Sequence, residues 1–155
     1  MVIRRGSRQD ARFLRDMLHH AYYWRERDPD EGPGPVARYV KGWGRRGDTA
    51  LIAIEDGFPV GAAWYRLFRR EQPGYGFVDE QTPELAIAVV PSRRGRGIGD
   101  ALLEALVERA RADGYAALSL SVEAGNEALL AFYERHGFHR VADDGGDTVT
   151  MLRRL

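Results

Sequence analysis

The chain has 155 residues, no cysteine, and 23 acidic against 23 basic side chains. This length fits one domain, predicted over residues 1–155, since domains typically contain about 100–150 residues. The lack of cysteine excludes disulfides, thiolate metal sites and cysteine nucleophiles, and the balanced charge gives no overall attraction for nucleic acid or anionic membranes. We also see no secretory leader and no apolar run of about 20 residues, and we therefore expect a cytoplasmic protein.

Seven β-rich runs and four amphipathic runs follow one another along the chain. Strands are predicted where apolar residues alternate or run continuously, and helices where they recur every three to four positions. In chain order the predicted elements are a strand at Val2–Ile3, a helix from about Gln9 to Tyr23, a short helix from Val36 to Trp43, strands at Thr49–Glu55, Val60–Phe68 and Glu84–Val90, a helix from Ile98 to about Asp113, a strand at Tyr115–Val122, a helix from Asn126 to His136, and strands at Phe138–Ala142 and Thr148–Leu152.

The order of these elements predicts an α/β (α+β) fold. Consecutive strands without an intervening helix favour antiparallel pairing, whereas the strand–helix–strand unit around Ile98 to Asp113 predicts a parallel crossover. Asp56-Gly57 marks a hairpin turn between two strands, and Gly114 is a natural C-cap for the helix before it. We therefore expect a mixed, mostly antiparallel sheet of about seven strands flanked by about four helices.

A turn rich in glycine and arginine separates the predicted strand Glu84–Val90 from the next helix. Gly95, Gly97 and Gly99 alternate with Arg94 and Arg96. A helix N-terminus presents unpaired N–H groups and partial positive charge to an anion, and glycine allows the backbone to approach it closely. The turn therefore predicts a phosphate site, and the alternative is an ordinary loop with solvated arginines.

Two familiar phosphate-binding patterns do not fit this turn. A Walker A loop needs Gly-Lys-Ser/Thr after four spacer residues, which the chain lacks. The dinucleotide fingerprint needs a third glycine or alanine where this chain has Asp100, in a strand that lies mid-chain in a mixed sheet. A short loop of this kind suits a pyrophosphate bound by backbone amides without a metal. His19 and His20 have no partner at metal-binding spacing, and we predict no metal site.

The segment from Val89 to Gly99, VVPSRRGRGIG, resembles the acyl-CoA motif of the GCN5-related N-acetyltransferase (GNAT) superfamily. Arg94, Gly97 and Gly99 match that family's pattern Gln/Arg-x-x-Gly-x-Gly/Ala. The predicted element order also matches the family fold, so that the resemblance extends over essentially the whole chain.

A second motif supports the resemblance further along the chain. Asn126 and Tyr133 stand seven positions apart and precede residues 136–138, His-Gly-Phe, which is similar to the family's Asn…Tyr…Gly-Phe signature. The resemblance implies an N-acetyltransferase that uses acetyl-CoA as cosubstrate and acetylates a primary amine of a small molecule or peptide by direct attack on the thioester.

The resemblance also implies roles for individual residues. Asn126 would bond the pantetheine amide, with a helix N-cap as the alternative compatible reading, and Tyr133 would protonate the departing thiolate, with core packing as its alternative. Main-chain groups on the central strand would contact the pantetheine arm, one amide polarising the thioester carbonyl, and the turn would bind the pyrophosphate. The implied cofactor-binding residues of strand and turn are Ile87, Ala88, Val89, Arg94, Gly95, Arg96, Gly97, Ile98, Gly99 and Asp100.

A general base must remove a proton from the amine. Glu84, at the head of the central strand, is the leading candidate because family members often place a glutamate there, acting through water, and Glu80 is the reserve. At another common base position, five before Asn126, this chain has Ser121. Simple solvation is the alternative explanation for Glu84.

Aromatic residues predict the acceptor side. Tyr23, Trp24 and Glu26, at the end of the first helix, lie where the family builds substrate pockets, and Trp64 would form the opposite wall. The alternative is that these rings pack in the core or in a homodimer contact. Two further functions stay open: a non-catalytic acyl-CoA sensor on the same fold, and a protein N-terminal or lysine acetyltransferase.

Overall fold

A computed structural model describes residues 1–22, 35–143 and 146–155. The strands and α-helices are β1 Val2–Arg5, α1 Ala11–Tyr22, β2 Thr49–Glu55, β3 Phe58–Arg66, β4 Glu84–Val89, α2 Ile98–Ala112, β5 Ala117–Glu123, α3 Glu127–Arg135, β6 His139–Asp143 and β7 Thr148–Arg154. The seven strands found in these residues form one sheet in the order β1-β2-β3-β4-β5-β7-β6.

The sheet is antiparallel except at its centre, which confirms the predicted fold class. Strands β4 and β5 run parallel and are joined by the crossover through α2, but their ladder contains a single residue pair, Glu84 with Ser119. By contrast, β3 pairs with β4 at six positions, and β5 pairs with β7 at seven. Beyond Glu84 and Ser119, β4 and β5 therefore diverge and leave a gap in the middle of the sheet.

The two faces of the sheet carry separate apolar cores. Because side chains alternate along a strand, Leu85 of β4 packs on the face covered by α2 and α3, whereas Ala86 and Ala88 pack on the face covered by α1. A capping box formed by Ser7 and Asp10 starts the helical segment that leads into α1. None of the described helices is long and apolar enough to cross a bilayer.

The second predicted helix is the main departure from expectation. A short helix was predicted from Val36 to Trp43, whereas the structure has a five-residue 3-10 helix at Pro35–Tyr39. Gly42 and Gly44 follow it with φ of 67° and 110°, a left-handed conformation that ends a helix. Gly114 also has positive φ, 87°, and it ends α2 as predicted.

Candidate active site

A cleft of about 680 Å³ occupies the gap between β4 and β5. Its walls are the two diverging strands, its mouth is the glycine turn before α2, and α3 closes one side. The last turn of α1 reaches it from the opposite face of the sheet through His20 and Ala21. Sequence motifs that lie far apart in the chain therefore meet in one cavity.

The edge of β4 that faces the cleft presents backbone groups that β5 does not pair, and among them the Val89 carbonyl accepts from Arg94. The Val90 N–H donates to the Val60 carbonyl at 2.9 Å, and hydrogen bonding alternates along an antiparallel strand. Ala88 is therefore directed towards β3, and the N–H and C=O of Ile87 and Val89 face the gap. On the other side the Ser119 N–H donates to the Pro83 carbonyl at 3.0 Å, which fits the same alternation. An extended ligand with amide groups would satisfy these backbone groups as an added strand does.

The glycine turn forms the N-terminus of α2. Gly97 is its N-cap, with φ of 82°, and contributes no side-chain cap. The Ala101 N–H donates to the Gly97 carbonyl at 3.1 Å, so that the preceding N–H groups, of residues 98–100, have no intrahelical acceptor. Gly97 lines the cleft, and no atom lies within 4 Å of the place where a Cβ would be. The turn therefore offers backbone donors and open space to an anion.

The arginines of the turn differ in their contacts. Arg93 forms an ion pair with Glu55 at 3.2 Å, and Arg96 approaches the same carboxylate at 3.8 Å. The Arg94 Nε donates to the Val89 carbonyl at 3.1 Å, and Arg94 lines the cleft. Glu55 therefore offsets part of the local positive charge, and Arg94 contacts the end of the strand that forms the cleft wall.

Asn126 and Tyr133 both line the cleft from α3. The Asn126 Oδ1 caps the helix by accepting from the Leu129 N–H at 3.2 Å. Tyr133 is 5% exposed and packs edge-on against Phe132 and Phe138. Burial raises the pKa of the Tyr133 hydroxyl above its usual value of 10, and the group therefore keeps its proton at neutral pH.

Glu84 lies at the head of β4, outside the lining of the cleft, and is 1% exposed. One carboxylate oxygen accepts from the Tyr39 hydroxyl and from the Gly76 N–H, the latter at 3.1 Å. The other, Oε1, is buried and has no hydrogen-bond partner among the described residues. Burial raises the pKa of Glu84 to about 7, although both hydrogen bonds act to lower it. Glu80, the reserve base, is exposed and accepts from the Arg70 N–H at 3.0 Å.

Of the four predicted acceptor residues, the structure describes Trp64. Tyr23, Trp24 and Glu26 lie outside the described residues. Trp64 is 1% exposed, packs in the core beneath α1, and donates from Nε1 to the Tyr39 carbonyl at 3.1 Å. Its role as an acceptor wall stays a prediction.

Sequence reasoning did not place His20 or a polar Ser121 in the cleft. His20 lies three positions after the buried Met17, so its approach to the sheet follows from helical phase once α1 is docked. Ser121 Oγ and Ser119 Oγ are buried without partners among the described residues. No cluster of three or more His, Asp or Glu suited to a metal occurs in the described parts of the chain.

A sequence model described as the acetyltransferase (GNAT) family matches residues 12–138. Among curated relatives, the L-methionine sulfoximine/L-methionine sulfone acetyltransferase of Pseudomonas aeruginosa is 38% identical over 95 residues, which cover 61% of this chain and 52% of that protein. The match thus spans about half the length of that relative.

Solved structures share the whole fold. The ribosomal-protein-alanine N-acetyltransferase of Brucella melitensis has 28% identity and a TM-score of 0.72, with all of both chains covered. A Salmonella typhimurium protein, described as a putative acetyltransferase with its cofactor acetyl-CoA, has a TM-score of 0.73 at 24% identity over 100% of this chain and 94% of that one. The latter likeness bears on the fold alone.

Proposed function

Since the chain belongs to the acetyltransferase (GNAT) family, we propose that it is an N-acetyltransferase that moves an acetyl group from acetyl-CoA to a primary amine of a small molecule or peptide. An L-methionine sulfoximine/L-methionine sulfone acetyltransferase and a ribosomal-protein-alanine N-acetyltransferase among the similar proteins support both acceptor classes. The observation that carries the proposal is the cleft, which joins a strand edge that β5 does not pair, a helix N-terminus and a protonated tyrosine.

Successive parts of the cleft suit successive parts of an acyl-CoA molecule. The N–H groups of residues 98–100, with Arg94 beside them, suit the pyrophosphate. The backbone of Ile87 and Val89 suits the pantetheine amides, with the Asn126 side chain on the opposite wall. A backbone N–H of β4 that faces the gap would donate to the thioester carbonyl oxygen, an interaction that strengthens as negative charge develops there. The Ala88 backbone is directed towards β3, so Ala88 would line the wall of the cleft without bonding the pantetheine amides.

Transfer requires two proton movements. The amine nitrogen forms a bond to the acetyl carbon, the carbon–sulfur bond breaks, and the sulfur receives a proton. We assign that proton to the Tyr133 hydroxyl, which lines the cleft and is kept protonated by burial. A positioned acid or base of this kind contributes about 10²–10⁴-fold to the rate.

The amine must first lose a proton, and we assign Glu84 as its acceptor. Its pKa of about 7 suits a base at neutral pH. Because the carboxylate is buried outside the cleft lining, the proton has to travel through water. Ser121, at the cleft, lies two residues after the strand partner of Glu84, so that its buried hydroxyl lies on the side of the sheet that faces this carboxylate.

Calorimetric titration with acetyl-CoA tests the binding half of the proposal. Gly97→Glu places a negative charge in the predicted pyrophosphate site, and we expect about a 100-fold loss of affinity, equivalent to about 2.7 kcal/mol. Gly114→Glu is the matched control, because Gly114 also has positive φ and open space around it but lies at the other end of α2. Equal affinity for both variants, or no binding by the wild-type chain, would contradict the proposal.

The position of Glu84, which is buried outside the lining of the cleft, also favours a second candidate, an acyl-CoA sensor without turnover. Thermal-shift screening of amines with acetyl-CoA present should find an acceptor, and product assays with that amine separate the two functions. For an enzyme, Tyr133→Phe and Glu84→Gln should each lower turnover about 10²–10⁴-fold while acetyl-CoA still binds. A wild-type chain that binds acetyl-CoA and turns over no amine of the panel would support the sensor.

A further inference from the structure

His136 follows α3 directly, and its ring lies between two carboxylates of α2. The ring Nε2 is 2.8 Å from Asp100 Oδ1, and Nδ1 is 2.6 Å from Glu104 Oε1. The imidazole is largely buried, with 11% of its side chain exposed, and it packs against the Phe132 ring with centroids 4.9 Å apart. The ring thus bridges helix α2 to the end of α3.

Both partners of this ring accept hydrogen bonds and neither donates one. An ionised carboxylate is an acceptor only, and neutral imidazole carries one N–H, whereas imidazolium carries two. The two short contacts therefore form together only when His136 is protonated. When it loses the proton, one of the two carboxylates loses its donor.

Other charged groups complete the surroundings of the ring. Arg153 of β7 donates to the His136 carbonyl at 2.7 Å and lies 3.5 Å from Glu104 Oε1. The guanidinium of Arg135, the preceding residue, lies over the Phe132 ring, with its Cζ 5.7 Å from the ring centroid. The protonated ring and Arg153 balance Asp100 and Glu104, so that loss of the proton leaves one negative charge uncompensated beside the N-terminus of α2.

Asp100 connects this cluster to the cleft. It is the third residue of α2 and lines the cleft next to Gly97 and Gly99. Its backbone N–H belongs to the first turn that we assign to the pyrophosphate, while its carboxylate turns aside to His136. A carboxylate released at this position would repel an anion at the same helix terminus.

We propose that His136 is a positioning residue for coenzyme A: in its protonated form it holds and neutralises the Asp100 carboxylate beside the phosphate site. The inference rests on the proposed function, since it assumes that coenzyme A binds at the α2 terminus. It follows that affinity for coenzyme A falls when His136 loses this proton.

The test is calorimetric affinity for coenzyme A between pH 5.5 and 8.5. The phosphates of the ligand titrate in this range, so the measured quantity is the ratio of wild-type affinity to that of Asp100→Asn at each pH. We expect the ratio to fall by about fivefold from acid to alkaline pH, at the lower end of typical coupling between sites. Glu108→Gln is the control, because this carboxylate lies on the same helix but pairs with Arg111, and its ratio should stay constant.

A second variant separates the charge of the ring from its packing. His136→Gln keeps an amide donor group and does not titrate. The ratio of its affinity to that of Asp100→Asn at pH 5.5 should match the ratio of wild-type affinity to that of Asp100→Asn at pH 8.5. If the wild-type protein binds coenzyme A but the ratio of its affinity to that of Asp100→Asn stays constant across pH, the role of His136 is overturned and the proposed function is not. If the wild-type chain binds no coenzyme A at any pH, the proposed function fails and this inference fails with it.

Discussion

Two buried carboxylates on adjacent parts of the sheet, Asp48 and Glu84, are held in opposite ways. Arg66 lies between them: it is the strand partner of Glu84 across β3 and β4, and it lies beside Asp48 at the start of β2. Its guanidinium donates to Asp48 at 2.6 and 2.9 Å and to the carbonyls of Arg38 and Lys41 at 2.9 and 2.7 Å. Glu84 receives none of these bonds.

The two carboxylates differ in the donors that surround them. The Asp48 side chain is 3% exposed, pairs with the Arg66 guanidinium and accepts from the N–H groups of Gly44 and Arg45. Glu84 is equally buried and has only a hydroxyl and one amide as donors, and its pKa is raised to about 7. Burial raises the pKa of a carboxylate where no cation offsets the lost hydration, and Arg66 donates to Asp48 and to two carbonyls instead of to Glu84.

Removal of the Arg66 guanidinium should have the largest effect on the two carboxylates. Arg66→Met leaves Asp48 buried without its cation, and we expect the free energy of unfolding to fall by about 3–5 kcal/mol. Urea denaturation measures it. Adding Asp48→Asn in the same chain removes the uncompensated charge and should recover part of the loss. A double variant as unstable as the single one would show that the charge of Asp48 does not cause the loss.

Replacement of the other carboxylate tests the pKa of Glu84. Because its pKa is about 7 when folded against 4.5 ordinarily, the folded state binds this proton more tightly. The resulting stabilisation is complete below pH 4.5 and is lost as pH rises to 7, in all about 3 kcal/mol. Glu84→Gln lacks this titration.

The measured quantity is the free energy of unfolding of Glu84→Gln minus that of the wild type, by denaturation from pH 5 to 8. This difference should become more positive as pH rises, because the wild type loses stability and the variant does not. Glu80→Gln, on an exposed loop, should give a constant difference. A constant difference for Glu84→Gln as well would mean that the carboxylate is ionised throughout.

The order of strands and helices along the chain and the glycine turn before α2 could be predicted because each depends on local pattern. Asn126 and Tyr133 were singled out by their resemblance to the family's motif, and their roles stay predictions. Apolar periodicity marks strands and helices wherever one face is buried, and a phosphate-binding turn is contiguous in sequence. The short helix after residue 35 was predicted as an α-helix because Val36 to Trp43 carries apolar residues, whereas Gly42 and Gly44 limit it to one 3-10 segment.

The partners of Glu84 could not be predicted in the same way. Tyr39 lies 45 positions away and meets Glu84 only because the 3-10 helix packs beneath the loop before β4. His136 likewise finds Asp100 36 positions away through the docking of α3 on α2. No periodicity encodes such pairs, since each depends on how two separate elements are placed in three dimensions.

The smallest expected effect comes from the hydroxyl that contacts Glu84. Tyr39→Phe removes the donor to this carboxylate and the acceptor for the Tyr75 N–H at 2.9 Å, and we expect stability to fall by about 1 kcal/mol. The lost bond stabilised the ionised form, so the pKa of Glu84 should rise above 7. If Glu84 is the base, the acid limb of the kcat/KM profile should move to higher pH, with activity recovering in alkaline buffer.

Tyr115→Phe serves as the control for that variant, because Tyr115 packs against Tyr65 in the other core and does not touch Glu84. Its profile should keep the wild-type acid limb. Reduced stability in Tyr39→Phe with an unmoved acid limb would make Tyr39 a packing residue and would remove Glu84 from the proton path. A shift in the limb without a change in the maximal rate would instead tie the raised pKa of Glu84 to the chemistry, since Tyr39→Phe changes a direct hydrogen bond to this carboxylate.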